Sequence, residues 1–166
     1  YDEAENFANL YGGRDIGIVA CQYDEFFHRV PQAGYEPLAY SPPREFINQV
    51  TAQSFLHFGQ DPNGLETRSS YTLYHQDIDG QDAIRVIYNP NQIHPWAHFS
   101  KTVVASSVEF FEAALGAPNP IAPGSQVWQW KVFFNTIGLV GFMMFFVNII
   151  LVLIGTKPFA ALKASG

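Results

Sequence analysis

AIRVIYNPNQIHPWAHFSKTVVASSVEFFEAAL, running from Ala83 to Leu115, is the stretch that decides the fold. Ile84, Val86 and Tyr88 alternate there with Arg85 and Ile87, a β-branched and aromatic run that reads as a strand. Asn89-Pro90-Asn91 stops the ladder, because proline has no N–H to donate. His94 follows on a short turn. Ser100 is an N-cap residue, and from Lys101 the apolar positions fall at Val104, Val108, Phe111 and Leu115, one face of a helix. Gly116 stands where a helix C-terminus favours glycine. A strand, a histidine-bearing turn and an amphipathic helix in that order hold an imidazole at the edge of a sheet.

Upstream, Asp15 to Phe27 reads DIGIVACQYDEFF. Ile16, Ile18, Val19, Ala20 and Cys21 form a near-continuous apolar run, as expected of a parallel strand covered on both faces. Asp24 stands where the chain leaves that strand. The two units resemble the last strands of an α/β-hydrolase, with its catalytic-histidine loop and final helix. The resemblance covers roughly residues 15–115. It implies the C-terminal part of a bacterial-type, membrane-anchored hydrolase domain: an α/β fold holding the last parallel strands of the sheet and their covering helices. It also implies Asp24 as the triad acid and His94 as the base, in the family's order of serine, aspartate, histidine. No G-x-S-x-G occurs in the 166 residues. The nucleophilic serine is therefore expected upstream of Tyr1, and this portion alone is expected to be inactive.

Acyl transfer needs a base that takes the nucleophile's proton and an acid that orients the base. His98 competes with His94 for the first role, four residues on in HPWAHFS. Glu25 competes with Asp24 for the second. Two histidines at this spacing can also ligate zinc from one helical face. Pro95 argues against a continuous helix through both, and no Cys or carboxylate cluster adjoins them, so neither metal nor cofactor is expected. His28, His57 and His75 show no partner pattern and read as surface or local structure. Phe26, Phe27, Tyr35, Phe55, Phe58 and Trp96 are aromatics that could line an acyl pocket.

Tyr1 to Leu10 reads as the end of a helix, closed by Tyr11-Gly12-Gly13. A further helix is expected near Ser41, with proline in its first turn and Phe46, Val50 and Phe55 as its buried stripe. Tyr71, Leu73 and His75 alternate with polar neighbours, and Asp79-Gly80 separates this run from the strand at Ala83. That is a hairpin signal.

All fifteen acidic residues and six of the nine basic ones lie before Val127, so that portion carries −9 and the remainder +3. An acidic globular part excludes a nucleic-acid footprint, which must be basic. The single Cys21 reads as a small buried hydrophobe. The expected organisation is a hydrolase-like portion over 1–116, a Pro/Gly linker and interfacial segment over 117–131, a transmembrane helix over 132–156 and a tail over 157–166. Val132 to Gly155 holds no charge; as a helix it would span about 36 Å, enough for a ~30 Å hydrocarbon core. Trp128 and Trp130 stand at one end, and Lys157 and Lys163 against Lys131 tilt the C-terminal side toward the cytoplasm. The expected partners are a lipid bilayer, in the cell membrane of a bacterium, and a small ester or amide substrate. Asn135 and Asn148 invite further membrane helices. The competing functional reading is an inactive hydrolase-like domain retained for binding or regulation in a transport or secretion assembly.

Overall fold

Residues 11–26 and 42–162 are described in the computed structural model of the chain. The expected helix end over Tyr1–Leu10 lies outside them, as do Phe27, His28, Tyr35 and Ser41. The described chain forms two units, 1–125 and 126–166.

The first unit is a mixed α/β layer built on three strands: β1 (Ile16–Val19), β2 (Tyr74–Ile78) and β3 (Gln81–Tyr88). Their order is β1-β3-β2, so β3 is central. It pairs parallel with β1 and antiparallel with β2. The hairpin turn falls at Asp79-Gly80, as the sequence predicts. Both residues take left-handed φ, 55° and 79°, which a two-residue turn between twisted strands requires. β2 begins later than the alternation suggests, because Tyr71 is itself left-handed (φ 61°) and its N–H donates to the Ile87 carbonyl. Leu73 is accordingly outside the strand.

Burial on both faces explains the residues of β3, where every position from Ala83 to Tyr88 is buried. Helix α1 (Val50–Leu56) covers one face. There Ala52 and Leu56 join Ala20 and Ile87 in the core, with Ile18, Phe46, Phe55 and Tyr74 packed around them. The expected stripe is rotated: Val50 is exposed, and the helix near Ser41 divides into a 3-10 turn (Pro43–Asn48) and α1. Arg85 is buried on this face as well, 2% exposed. Its guanidinium donates to the carbonyls of Gly12, Arg14 and Ile84 and lies over the rings of Phe55 and Phe58. Gln53 fixes the polar loop that follows α1. Its amide accepts from the Arg68 N–H and donates to the carbonyls of Arg68 and Ile47.

Two helices follow β3: the single turn α2 (His94–Ala97) and α3 (Lys101–Leu115). The Ser100 hydroxyl caps α3 by accepting from the Val103 N–H, and Gly116 ends it with φ 70°. Phe110 of α3 rests on Gly17 of β1. A Cβ at Gly17 would stand 3.1 Å from the Phe110 ring and 3.3 Å from Val86. Glycine here is a matter of close approach, since a side chain would push the helix off the sheet. The sequence stripe of α3 is displaced too: Val103 and Ser106 are its buried residues, while Phe111 and Leu115 are exposed.

The second unit is one helix, α4 (Trp128–Ile154), followed by a 3-10 turn at Lys157–Leu162. It starts four residues before the expected membrane boundary at Val132, so Trp128 to Lys131 are helical. Its mean hydropathy reaches 2.8, it buries none of its residues, and by length and composition it is capable of crossing a membrane. The Asn148 amide donates to Met144 O and the Thr136 hydroxyl to Val132 O, so both polar side chains are served within the helix.

Candidate functional site: an Asp–His pair beside an apolar pocket

The site is set by how β1 and β3 run out of the sheet. From Ile16↔Arg85 to Val19↔Tyr88 the parallel register is constant. Pairing then resumes as a bridge between Tyr23 and Ile93. Three residues (Ala20–Gln22) therefore face four (Asn89–Gln92), and the register has slipped by one. The tight turn in which the Gln92 N–H donates to Pro90 O, with Asn91 at its centre, absorbs the extra residue. Side-chain amides stitch the two segments across the slip: Gln22 Nε2 donates to Asn89 O, and Asn89 Nδ2 to Ala20 O. One residue beyond the bridge on each strand stand Asp24 and His94. Without the slip, His94 would lie one position out of register with Asp24, and in a period-2 ladder one position changes the face.

Asp24 is buried, 3% exposed. Its Oδ1 accepts from the Phe26 N–H at 2.8 Å, and its Oδ2 lies 2.9 Å from His94 Nδ1. An ionised carboxylate can only accept, so the hydrogen of that bond resides on Nδ1, and in the neutral ring the lone pair is then on Nε2. Glu25, the alternative acid, accepts from the His94 backbone N–H at 3.3 Å; it braces the turn without meeting the ring. Phe26 stands edge-on to the imidazole at 5.7 Å. His98 closes the single turn α2, its ring 6.2 Å from that of His94. Pro95 occupies the first turn of α2, where it costs no hydrogen bond, so it does not keep the histidines apart. Among the described residues no cluster is suited to a metal ion.

His94 and Asp24 form one wall of a half-open pocket of about 570 Å³. β1 contributes Val19, and Cys21 follows two residues past its end. α3 contributes Val103, Val104, Ser107, Val108 and Phe111, and the α2 turn contributes Ala97 and His98. Of the aromatics proposed for an acyl pocket, Phe27 and Tyr35 lie outside the described residues and the other four do not line this one. Phe55 and Phe58 lie on the other face of the sheet beside Arg85, Trp96 is exposed, and Phe26 stands against the imidazole. The apolar stripe Val104, Val108, Phe111 faces this pocket instead of the sheet. Cys21, read as a buried hydrophobe, is buried and also a pocket wall. Burial, helped by the charges of Asp24 and Glu25, pushes its thiol above the ordinary range, the opposite of an activated nucleophile. On the same face of β3 the buried Tyr88 hydroxyl has no partner among the described residues, and burial pushes its pKa up to about 12. His57 is buried against the Glu66 carbonyl and His75 pairs with Asp82 on the exposed hairpin. Neither joins the site.

Comparison of the chain with protein-family models, with curated proteins and with solved structures finds no match.

Proposed function

We propose that this chain supplies the acid–base half of a membrane-anchored serine hydrolase, with Asp24 orienting His94 and His94 acting as the general base. The observation that carries the reading is the 2.9 Å contact between a buried carboxylate and the Nδ1 of an imidazole facing a pocket. Buried aspartate, oriented histidine and a lone pair on Nε2 are what a serine hydroxyl needs in order to be deprotonated. The 166 residues hold no nucleophile elbow, so in this reading the serine is supplied from outside them.

The reaction then divides as follows. The serine oxygen bonds to the acyl carbonyl carbon while Nε2 takes its proton, and backbone N–H groups near the serine hold the oxyanion. The C–O bond to the alcohol breaks and the imidazolium returns the proton to the leaving oxygen. Water repeats the sequence on the acyl-enzyme, giving a carboxylic acid and free serine. Asp24 keeps the imidazole in one tautomer and stabilises its cation throughout.

α4 serves as the anchor in this reading. A helix apolar on every side is either a core helix or a membrane span, and α4 buries nothing. Trp128 and Trp130 occupy an interfacial belt at one end, with Lys131 and Lys157 flanking the apolar run.

The test is covalent labelling of the full-length, membrane-extracted protein with a fluorophosphonate. Labelling of wild type that is lost in His94→Ala and kept in His98→Ala supports the assignment. Loss only in His98→Ala moves the base to His98. A folded wild type that does not label supports a non-catalytic, hydrolase-like module instead.

A further inference from the structure

We propose that the pocket beside His94 binds an unbranched fatty acyl chain of about ten carbons, which makes the substrate a medium-chain fatty acyl ester; this rests on the hydrolase reading above. The polar groups of the pocket are gathered at one end, where Asp24, His94 and His98 stand. From there the lining runs along α3 through Val104 and Val108 to Phe111, two turns of helix, and includes Val19 of β1 and Cys21 just past it. Among the described residues the one hydroxyl on that path, Ser107 Oγ, donates to the Val103 carbonyl of its own helix, and no charged side chain lines the groove beyond the dyad. A ligand with a polar or charged tail would therefore be desolvated without partners, at a cost of roughly 1–3 kcal/mol or more per group. An apolar tail gains about 0.8 kcal/mol per buried methylene.

Length follows from the helix. Val103 to Phe111 rises about 12 Å, and a staggered chain of ~1.5 Å bonds advances about 1.25 Å per carbon, which gives roughly ten. Phe111 stands at the far end, 57% exposed, so it limits the chain without sealing the groove. With the tail along α3, the ester carbonyl is left at the polar end beside His94, where the dyad acts.

The experiment uses the full-length protein in lipid nanodiscs. A decanoic acid carrying a terminal diazirine is photolysed, and labelled peptides are mapped by mass spectrometry. Labelling of α4 from the bilayer serves as the internal control. The expected result is labelling within Val103–Phe111 of wild type, reduced at least ten-fold in Val104→Trp while α4 labelling is unchanged. Labelling of α4 without α3 overturns the proposal. A second arm measures kcat/KM for nitrophenyl esters of two, four, ten and sixteen carbons. The optimum should fall near ten, move to four in Val104→Trp and toward sixteen in Phe111→Ala; a wild-type optimum at two carbons overturns the proposal. Labelling of α3 with no turnover of any ester would keep the acyl site and remove the hydrolase reading, so the two fail separately.

Discussion

Replacing Asp24 by Asn tests the dyad where its geometry is most constrained. Among the described residues the carboxylate accepts two N–H groups at once, from Phe26 at 2.8 Å and from His94 Nδ1 at 2.9 Å. An amide has one oxygen. If that oxygen keeps the Phe26 N–H, the NH₂ faces Nδ1 as a donor, and the imidazole must move its proton to Nε2, the nitrogen meant to act as base. If the oxygen turns to His94, the NH₂ confronts the Phe26 N–H in a buried site. Either way one bond is lost, at about 1–3 kcal/mol of stability. The first arrangement leaves the fold standing with the wrong tautomer, for which a rate loss of about 10³–10⁴-fold, or ~4–5 kcal/mol in the barrier, is the expected scale. The assay is the second-order rate of fluorophosphonate labelling in the full-length protein, beside its thermal melting. A variant that melts within a few degrees of wild type and labels at least 10³-fold more slowly fits the reasoning. Labelling within ten-fold of wild type refutes it, because Asp24 would then be a loop brace that leaves the base alone. The Asp24→Asn, His94→Ala double variant should label no more slowly than His94→Ala, since the two residues act as one unit.

Deleting Asn91 should cut labelling as deeply as His94→Ala, because it removes the residue that slips the register and returns His94 to the wrong position; labelling at the wild-type rate would show that the turn does not set the dyad. Tyr88→Phe should melt later than wild type already at pH 8, because it removes a buried hydroxyl with no partner among the described residues, and the gap should widen at pH 11. Below about pH 10 the phenol is protonated folded and unfolded alike, whereas between its ordinary value and about 12 only the unfolded chain ionises, costing the wild type on the order of 2–3 kcal/mol by the upper limit. Gly17→Val should lower stability by about 1–3 kcal/mol by forcing Phe110 and Val86 aside, read as a shift in denaturant midpoint with an unchanged slope. Val140→Lys at the middle of α4 should cost roughly 2.5–3.5 kcal/mol of insertion and move the protein from the membrane to the soluble fraction or to aggregates, as fractionation would show.

Much of the architecture was legible because it depends on local chemistry. Asp79-Gly80 announces a hairpin, Ser100 and Gly116 bracket α3, and the uncharged run from Val132 announces α4. What pattern could not supply is which face of an element meets which neighbour. The apolar stripe of α3 was found, yet periodicity is blind to whether such a stripe packs on a sheet or borders a cavity. Val103 and Ser106 are the buried positions of α3, Phe110 meets the sheet, and Gly17 is what lets it approach. Arg85 is a second case: alternation puts it in the strand without saying which face it takes, and three backbone carbonyls and two aromatic rings account for its guanidinium in the core.

The site itself was half legible. Asp24 and His94 each follow an apolar strand, and the order of aspartate before histidine is visible in the chain. Their meeting is not, because it depends on a one-residue slip that no composition signals. Pro90 is the trace of it: a residue without an N–H in the segment leaving a central strand must interrupt the ladder, and the interruption is where a register can change. The slip also separates what holds the strand ends from the pair itself. Asn89 and Gln22 bind their neighbours through backbone carbonyls whatever the side chains at the tip, so the strand ends are held together by groups other than Asp24 and His94. Asp24 can then be buried beside His94, at a cost that the Phe26 N–H and the imidazole help to offset. The pair would thereby be a consequence of how the sheet ends, and a change that preserves every side chain of the dyad but restores the register should be as damaging as removing one of them.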